Sequence, residues 1–139
     1  MATESSTDIA ANKRVIQEYF SCMGRNDIDG ALGLLTDDAE WWVPGNWELS
    51  GTFTKAQMSA MLKHELPFQG PLQYDVRGVT AEGDRVAVEL ATHGTLKDGR
   101  SYDNTYHFMF RLKGGRIVRV NEYVDTLYSY RTFFAAPTS

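Results

Sequence analysis

An acidic residue stands inside an apolar row near the end of the chain. Glu122 follows Val118 and Val120 at two-residue spacing and precedes Val124. Residues two apart in a β-strand point to the same face, so these four side chains share one face. A carboxyl group among apolar side chains loses its hydration, which raises its pKa towards neutral pH. The pattern therefore predicts a general acid or base.

A histidine is the predicted partner of this carboxyl group. If the glycines at 114–115 are the two central residues of a hairpin turn, His107 lies directly across from Glu122, and Met109 lies across from Val120. Directly opposed side chains have Cβ atoms about 4.5 to 5.5 Å apart. An imidazole and a carboxylate at that distance can share one proton near neutral pH and exchange it with a substrate. The alternative is a structural ion pair at the end of the sheet or at a dimer interface.

Aromatic and apolar residues complete the predicted site. Tyr19 lies on an amphipathic helix, where its hydroxyl could donate to a ligand oxygen or its ring could serve only as core. Trp41 and Trp42 alternate to opposite sides of a strand, so either can stack on a flat ligand or simply pack, and Trp47 follows in a loop. Asp125 either caps the tail or guards the pocket mouth. The predicted catalytic residues are Glu122, His107 and Tyr19, and the predicted substrate-binding residues are Trp41, Trp47, Met61, Met109, Val120, Val124 and Asp125.

The predicted chemistry needs neither a metal nor a cofactor. The three His residues are scattered, Cys22 is the single cysteine, and no H-x-x-x-H or C-x-x-C spacing occurs. A phosphate-binding loop, a dinucleotide fingerprint and a nucleophile elbow are also missing from the sequence. The place of Cys22 in an apolar helical pattern predicts a buried structural thiol.

Composition and charge limit the expected partners. The 139-residue chain has a formal net charge of −4 and no cluster of Lys and Arg, so a nucleic-acid partner is not expected. Because no run of 18 apolar residues and no apolar leader occur, we expect a cytoplasmic protein that does not enter membranes. The length fits one domain over residues 1–139, with flexible ends at 1–8 and 134–139.

The order of elements predicts an α+β fold. Helical spacing follows a cap at Thr7 or Asp8 and ends at Gly24, and a third helix begins after Thr54. A short second helix with its apolar stripe at 28–35, a strand at 39–43 and a loop at 45–51 lie between them. Period-two strands then follow at 72–80, 84–96, 101–112 and 116–125, which predicts an antiparallel meander.

A row of aromatic residues lies on the other face of the penultimate strand. Its members alternate with His107 and Met109, and they are Tyr102, Tyr106, Phe108 and Phe110. With His107 facing the pocket, this row would face outwards, and it is too large to leave in water. We therefore expect a homodimer that forms through the sheet.

Several segments resemble a known family. The segments 27–31 (DIDGA), 35–45 (LTDDAEWWVPG) and 49–51 (LSG), with the closing strands 108–125, resemble the SnoaL-like and ketosteroid-isomerase-like proteins of the nuclear transport factor two superfamily. The resemblance covers about residues 9–133. It implies a cone-shaped α+β barrel in which three N-terminal helices pack on a curved antiparallel sheet around an internal apolar cavity.

The resemblance also bears on individual residues. Positions that look equivalent to the two oxyanion donors of ketosteroid-isomerase-like enzymes are Tyr19 and His107, whereas their catalytic aspartate falls on Val43. Limonene-epoxide-hydrolase-like members carry an acid at a position that looks like Glu122. Their Arg and Asp fall on Leu90 and Thr92.

SnoaL-like cyclases, dehydratases and lyases need only one acid-base residue, so this class is the one that the sequence matches most easily. We therefore expect a cofactor-independent isomerase, cyclase or lyase that acts on a small hydrophobic, cyclic or aromatic metabolite. The alternatives are a non-catalytic binding module and an epoxide-hydrolase-like hydrolase.

Overall fold

The computed structural model describes residues 6–135, and the outermost parts of the predicted flexible ends, 1–5 and 136–139, lie outside these described residues. The elements follow in the order α1 (Ser6–Gly24), α2 (Ile28–Leu32), β1 (Leu35–Val43), β2 (Gly51–Thr54), α3 (Lys55–Ala60), a π-helical segment (Met61–Glu65), β3 (Gln73–Glu82), β4 (Arg85–Thr95), β5 (Ser101–Lys113), β6 (Arg116–Val124) and α4 (Thr126–Phe133). Because α1 already begins at Ser6, Thr7 and Asp8 lie inside its first turn rather than before it.

The six strands form one curved sheet that does not close into a barrel, in the order β2-β1-β6-β5-β4-β3. Strands β3 to β6 are joined as an antiparallel meander, which confirms the predicted arrangement. Strand β1 pairs in parallel with β6 and antiparallel with β2. The sheet is therefore mixed rather than purely antiparallel, and the region predicted as a loop before α3 ends in a short strand.

The three N-terminal helices of the predicted cone are present. Thr54 caps α3 through a reciprocal capping box with Gln57, as the sequence predicted for this position. Helix α1 buries Ile16, Tyr19 and Phe20 against the concave face of the sheet. The fourth helix, α4, lies in the tail, and the sequence analysis did not predict it.

The turn between β5 and β6 is the predicted one. Gly114 and Gly115 have φ values of 59° and 78°, and Lys113 pairs with Arg116 across them. Positive φ at both central residues is the geometry of a type I′ turn, which favours glycine. The predicted register is correct at this point of the hairpin.

A β-bulge changes the register directly after the turn. Leu112 pairs with Ile117, but Arg111 pairs with Arg119, so Val118 is an extra residue in β6. From there onwards every pair is displaced by one residue, and a displacement by one exchanges the two faces of a strand. The prediction of His107 across from Glu122 is therefore wrong.

The observed partners follow from that displacement. Phe108 lies across from Glu122, His107 lies across from Tyr123, and Met109 lies across from Asn121. His107 is exposed on the outer face of the sheet, whereas Phe108 is buried.

The aromatic row of β5 lies inside the molecule. Tyr102 and Phe110 are 0% exposed and Phe108 is 5% exposed, and Tyr106 is half-buried beside them. The row therefore does not form an outer surface, and the argument for a homodimer that rested on its exposure loses its basis.

Candidate functional site

A cavity of about 80 Å³ lies between the concave face of the sheet and the helices. Space of this kind needs about 10 to 15 Å³ for each water, so the cavity has room for about five to eight waters or a small organic molecule. Its lining is mainly aromatic and aliphatic, and it consists of Tyr19, Phe20, Met23, Trp41, Val43, Trp47, Leu49, Met58, Met61, Leu62, Leu66, Phe68, Leu72, Tyr74, Tyr106, Phe108, Glu122, Val124, Ser129 and Phe133.

Glu122 is the carboxyl group of this cavity. Its Oε1 accepts a hydrogen bond of 3.1 Å from Trp41 Nε1, which projects from the neighbouring parallel strand. Burial raises the pKa of Glu122 from 4.5 to about 7, and the Trp41 hydrogen bond opposes part of that rise because it favours the charged form. Near neutral pH the carboxyl group can therefore either accept or release a proton.

Two phenol groups face the same cavity. Tyr19 is 2% exposed and Tyr74 is half-buried, and within residues 6–135 neither hydroxyl has a hydrogen-bond partner. Burial, and then the nearby charges of Tyr74 and Glu122, raise the pKa of Tyr19 well above 10. The pKa of Tyr74 is raised in the same way by burial and by Glu122. Both hydroxyls therefore keep their protons at neutral pH and can donate to an oxygen of a ligand.

A hydroxyl network occupies the end of the cavity next to α4. The Tyr102 hydroxyl lies 2.7 Å from the Tyr106 hydroxyl and 2.8 Å from Ser129 Oγ. Asn104 Nδ2 donates to Tyr102 and to Ser129, each over 2.9 Å. Tyr106 and Ser129 line the cavity, while Tyr102 and Asn104 lie behind them.

Six of the predicted site residues line the cavity: Glu122, Tyr19, Trp41, Trp47, Met61 and Val124. The two tryptophans of β1 point to opposite sides as predicted, because Trp41 is 3% exposed in the interior while the Trp42 ring packs on Tyr123, 5.5 Å away, on the outer face. Trp47 is held by a hydrogen bond from its Nε1 to the Pro44 carbonyl, 3.0 Å long. Gly45, with φ of 102°, leaves space for that ring, since a Cβ there would come within 2.9 Å of it.

Four predicted residues lie elsewhere. The bulge places His107 and Met109 on the outer face. Val120 points inwards but is 0% exposed in the core below the cavity, where it is paired with Phe110. Asp125 is the N-cap of α4 and accepts a hydrogen bond from Tyr128 N, which is the capping role that the sequence analysis had left open.

Three polar residues of the cavity, Tyr74, Tyr106 and Ser129, were not predicted from the sequence. Tyr106 belonged to the row assigned to the outside, so the correct register alone would have placed it in the cavity. Tyr74 and Ser129 lie on β3 and α4, far from Glu122 in sequence. Only the curvature of the sheet around α1 and the docking of α4 bring them to the site.

Within residues 6–135, no three side chains of His, Cys, Asp or Glu lie together in an arrangement that could hold a metal ion. Within the same residues, no helix has both the length and the apolar character needed to cross a membrane.

Comparison with known proteins gives matches over most of the chain. The family model of the SnoaL-like domain matches residues 16–120. An NTF2-like protein of unknown function from Burkholderia pseudomallei is 23% identical, with a TM-score of 0.79 over 90% of this chain and 98% of that one. TerC, co-crystallised with polyporic acid, is 23% identical, with a TM-score of 0.77 over 91% and 99% of the two chains. A candidate polyketide cyclase from Xanthomonas campestris is 22% identical, with a TM-score of 0.74 over 86% and 93%. A search of curated proteins gave no match.

Proposed function

Because this chain belongs to the SnoaL-like domain family, we propose that it is a cofactor-independent acid-base enzyme, an isomerase, cyclase or lyase, for a small hydrophobic cyclic or aromatic molecule. The observation that carries the proposal is the position of Glu122. A carboxyl group whose pKa is about 7 lies in an aromatic cavity beside two phenols that have no partner within residues 6–135. A proton-transfer group is most effective when its pKa lies near the working pH.

The proposed reaction begins with proton removal. Glu122 takes a proton from a carbon next to a carbonyl group of the substrate, and the electron pair moves onto the carbonyl oxygen. Tyr19 and Tyr74 donate hydrogen bonds to that oxygen as its negative charge develops. The Trp41 N–H holds the Glu122 carboxyl group in place through the bond to Oε1.

The proton held by Glu122 completes each variant of the reaction. Its return to another carbon of the same molecule gives an isomer, and its transfer to a leaving oxygen gives an elimination. If the new carbanion attacks a second carbonyl carbon, a carbon–carbon bond closes a ring, the electron pair of that C=O bond moves onto its oxygen, and this oxygen takes the proton from Glu122. His107 takes no part, because it is exposed on the other side of the sheet.

The lining indicates the charge of the substrate. Among the described residues that form the cavity wall there is no Lys, Arg or His. A carboxylate or phosphate placed there would be buried without a cation and beside the Glu122 carboxylate, which costs several kcal/mol. The proposed substrate is therefore uncharged at the part that enters the cavity.

Structural neighbours support a small organic ligand. TerC, which shares the fold, was co-crystallised with polyporic acid, and another neighbour is described as a candidate polyketide cyclase. The epoxide-hydrolase alternative has less support, because the described cavity lining includes no arginine and no second carboxylate. A non-catalytic binding module is the remaining alternative, and it predicts binding without proton transfer.

Hydrogen-deuterium exchange tests the proposal before the natural substrate is known. 1-Tetralone is an uncharged bicyclic ketone, and NMR in D₂O measures the loss of its protons next to the carbonyl. We expect the wild-type protein to accelerate this exchange. Glu122→Gln should lower the protein-catalysed rate by about 10² to 10⁴-fold, the usual contribution of a general base.

His107→Gln is the matched control, since it removes an ionisable residue that directly precedes Phe108, the strand partner of Glu122, but lies on the outer face. It should exchange the ketone at the wild-type rate. If Glu122→Gln retained the wild-type rate, or if only His107→Gln lost it, the proposal would be wrong. Binding of 1-tetralone without any catalysed exchange would favour the binding module.

A further inference from the structure

The hydroxyl network next to α4 has one more hydroxyl hydrogen than the contacts between its hydroxyl groups require. The Tyr106, Tyr102 and Ser129 hydroxyls form a row with two contacts, of 2.7 Å and 2.8 Å. Each contact uses one hydrogen, and each hydroxyl supplies one. One of the three hydrogens therefore has no place inside the row.

The burial of Tyr102 decides where that hydrogen lies. Asn104 Oδ1 accepts from Thr105 N over 2.8 Å, so Asn104 Nδ2 is the donor in its other contacts, to Tyr102 and Ser129 at 2.9 Å and to the Asp125 carbonyl at 3.3 Å. These contacts bring hydrogens to the network and take none from it. Tyr102 is 0% exposed, so if its oxygen accepted from both neighbouring hydroxyls, its own hydrogen would be buried without a partner, which costs about 1 to 3 kcal/mol.

Tyr102 therefore donates to one neighbour and accepts from the other. The unused hydrogen then belongs either to Tyr106 or to Ser129, at one of the two ends of the row. Thr132, one turn further along α4, donates to the Tyr128 carbonyl over 2.7 Å, but within residues 6–135 Ser129 makes no such bond to its own helix. Both ends of the row line the cavity.

The hydroxyl with the unused hydrogen, Tyr106 or Ser129, lies along the same cavity wall as Glu122. Phe108 is the strand partner of Glu122, and Tyr106 is two residues from Phe108 on the same face. The Tyr106 and Phe108 rings stack with centroids 5.6 Å apart and an angle of 8° between their planes. Diagonal neighbours on paired strands are about 7 to 8 Å apart. A flat apolar surface therefore separates the carboxyl group from the hydroxyl network.

We propose that Tyr106 and Ser129 form a second binding subsite, which receives an acceptor oxygen at the far end of the ligand. The ligand class that fits is an uncharged, flat cyclic molecule with an oxygen function at each end. One oxygen lies near Glu122, Tyr19 and Tyr74, and the other accepts from the network. The subsite rests on the proposed function only in that both use the same cavity. It makes its own prediction, which concerns binding and not proton transfer.

Two probes isolate the far oxygen. 1-Tetralone has one oxygen, and 6-methoxy-1-tetralone adds an ether oxygen at the opposite end of the bicycle. The ratio of their dissociation constants, measured by titration calorimetry, reports the added contact and cancels effects common to both probes. In the wild type we expect the methoxy compound to bind about two- to tenfold more tightly, the range of one net hydrogen bond.

The effects of the two single variants on this ratio should be much smaller than the effect of the double variant. In Tyr106→Phe the spare hydrogen can remain on Ser129, and in Ser129→Ala it can remain on Tyr106, so each single variant keeps most of the ratio. The double variant leaves only the fully buried Tyr102 hydroxyl, so the ratio should fall to about one. Tyr74→Phe removes a cavity hydroxyl outside the network and should weaken both probes equally. A wild-type ratio in a folded double variant would overturn the subsite.

A measurement on the wild type covers the case in which the double variant does not fold. Nuclear Overhauser effects between the methoxy protons and ring-labelled tyrosines should identify Tyr106. Contacts to Tyr19 instead would overturn the proposal. Failure of the exchange assay with this affinity pattern intact would reject the catalytic role of Glu122 and leave the subsite standing.

Discussion

The two faces of the β5–β6 hairpin differ in every property that matters for function. On the concave face, Glu122 lies across from Phe108 in a cavity, and its pKa is raised to about 7. On the outer face, His107 lies across from Tyr123, and both are exposed to solvent. One extra residue, Val118, decides which side chains belong to which face. Chemical type alone therefore does not identify a catalytic residue, because the register of the strand must place it.

The largest expected effect comes from a one-residue deletion beyond the bulge. Deletion of Asn121 would shift the rest of β6 by one position and turn Glu122 and Val124 to the outer face. We expect a loss of more than about 5 kcal/mol, comparable with the whole stability of a small domain, so the variant should not fold. Circular dichroism during heating measures this loss. Deletion of Val118 is the control, because it removes only the extra residue and keeps Glu122 on the concave face, so this variant should fold. Equal losses in the two deletion variants would contradict the position given to the bulge.

Truncation of neighbouring residues on the two faces should give unequal losses. Phe110 is 0% exposed in the aromatic row, so Phe110→Ala should lower the free energy of unfolding by about 3 to 5 kcal/mol. Met109→Ala, on the half-buried outer face, should cost about 1 kcal/mol or less. Urea unfolding of both variants checks the comparison, and equal losses would argue against the inward position of the row.

The dependence of stability on pH should follow Glu122. Its pKa rises from 4.5 in the unfolded chain to about 7 in the fold, so the folded state favours the neutral carboxyl group. The stabilisation is complete below pH 4.5 and is lost as the pH rises to 7, by about 3 kcal/mol in total. Glu122→Gln should not show this loss, whereas His107→Gln should retain it. Urea unfolding at pH 4.5, 6 and 8 measures it, and a wild-type slope in Glu122→Gln would contradict the assignment.

The smallest predicted effect separates the two tryptophans of β1. Trp41 donates to Glu122, and the bond favours the charged carboxylate. Trp41→Phe should therefore raise the pKa of Glu122 by about half to one unit, the equivalent of one net hydrogen bond. Trp42→Phe changes only the outer face and should leave that pKa in place. A shift of the same size in both variants would mean that the hydrogen bond is not its cause.

Much of the fold could be predicted from residue patterns. The glycine pair at 114–115, the capping residue Thr54 and the period-two strands gave the correct hairpin, the correct helix start and the correct meander. These features depend on neighbours in sequence. The parallel pairing of β1 with β6 joins residues about eighty positions apart, and no local pattern reports it.

The bulge was harder to predict because Ile117 and Val118 are both apolar, so the extra residue leaves no interruption in the alternation. A signal was nevertheless present in β5. The row of Tyr106, Phe108 and Phe110 is more apolar than the row of Thr105, His107 and Met109, and the more apolar row belongs inside. A prediction based on this difference in apolar character, and not on the expected His107–Glu122 pair, would have placed Glu122 opposite Phe108.

Direct titration of the Glu122 carboxyl group tests the central claim most directly. ¹³C NMR of the side-chain carboxyl carbon, assigned by comparison with Glu122→Gln, follows its ionisation from pH 3 to 10. The structure predicts a midpoint at about 7, set by burial in the aromatic cavity. A midpoint at the ordinary value of about 4.5 would show a solvated carboxylate, and Glu122 would then not be the acid-base group of this protein.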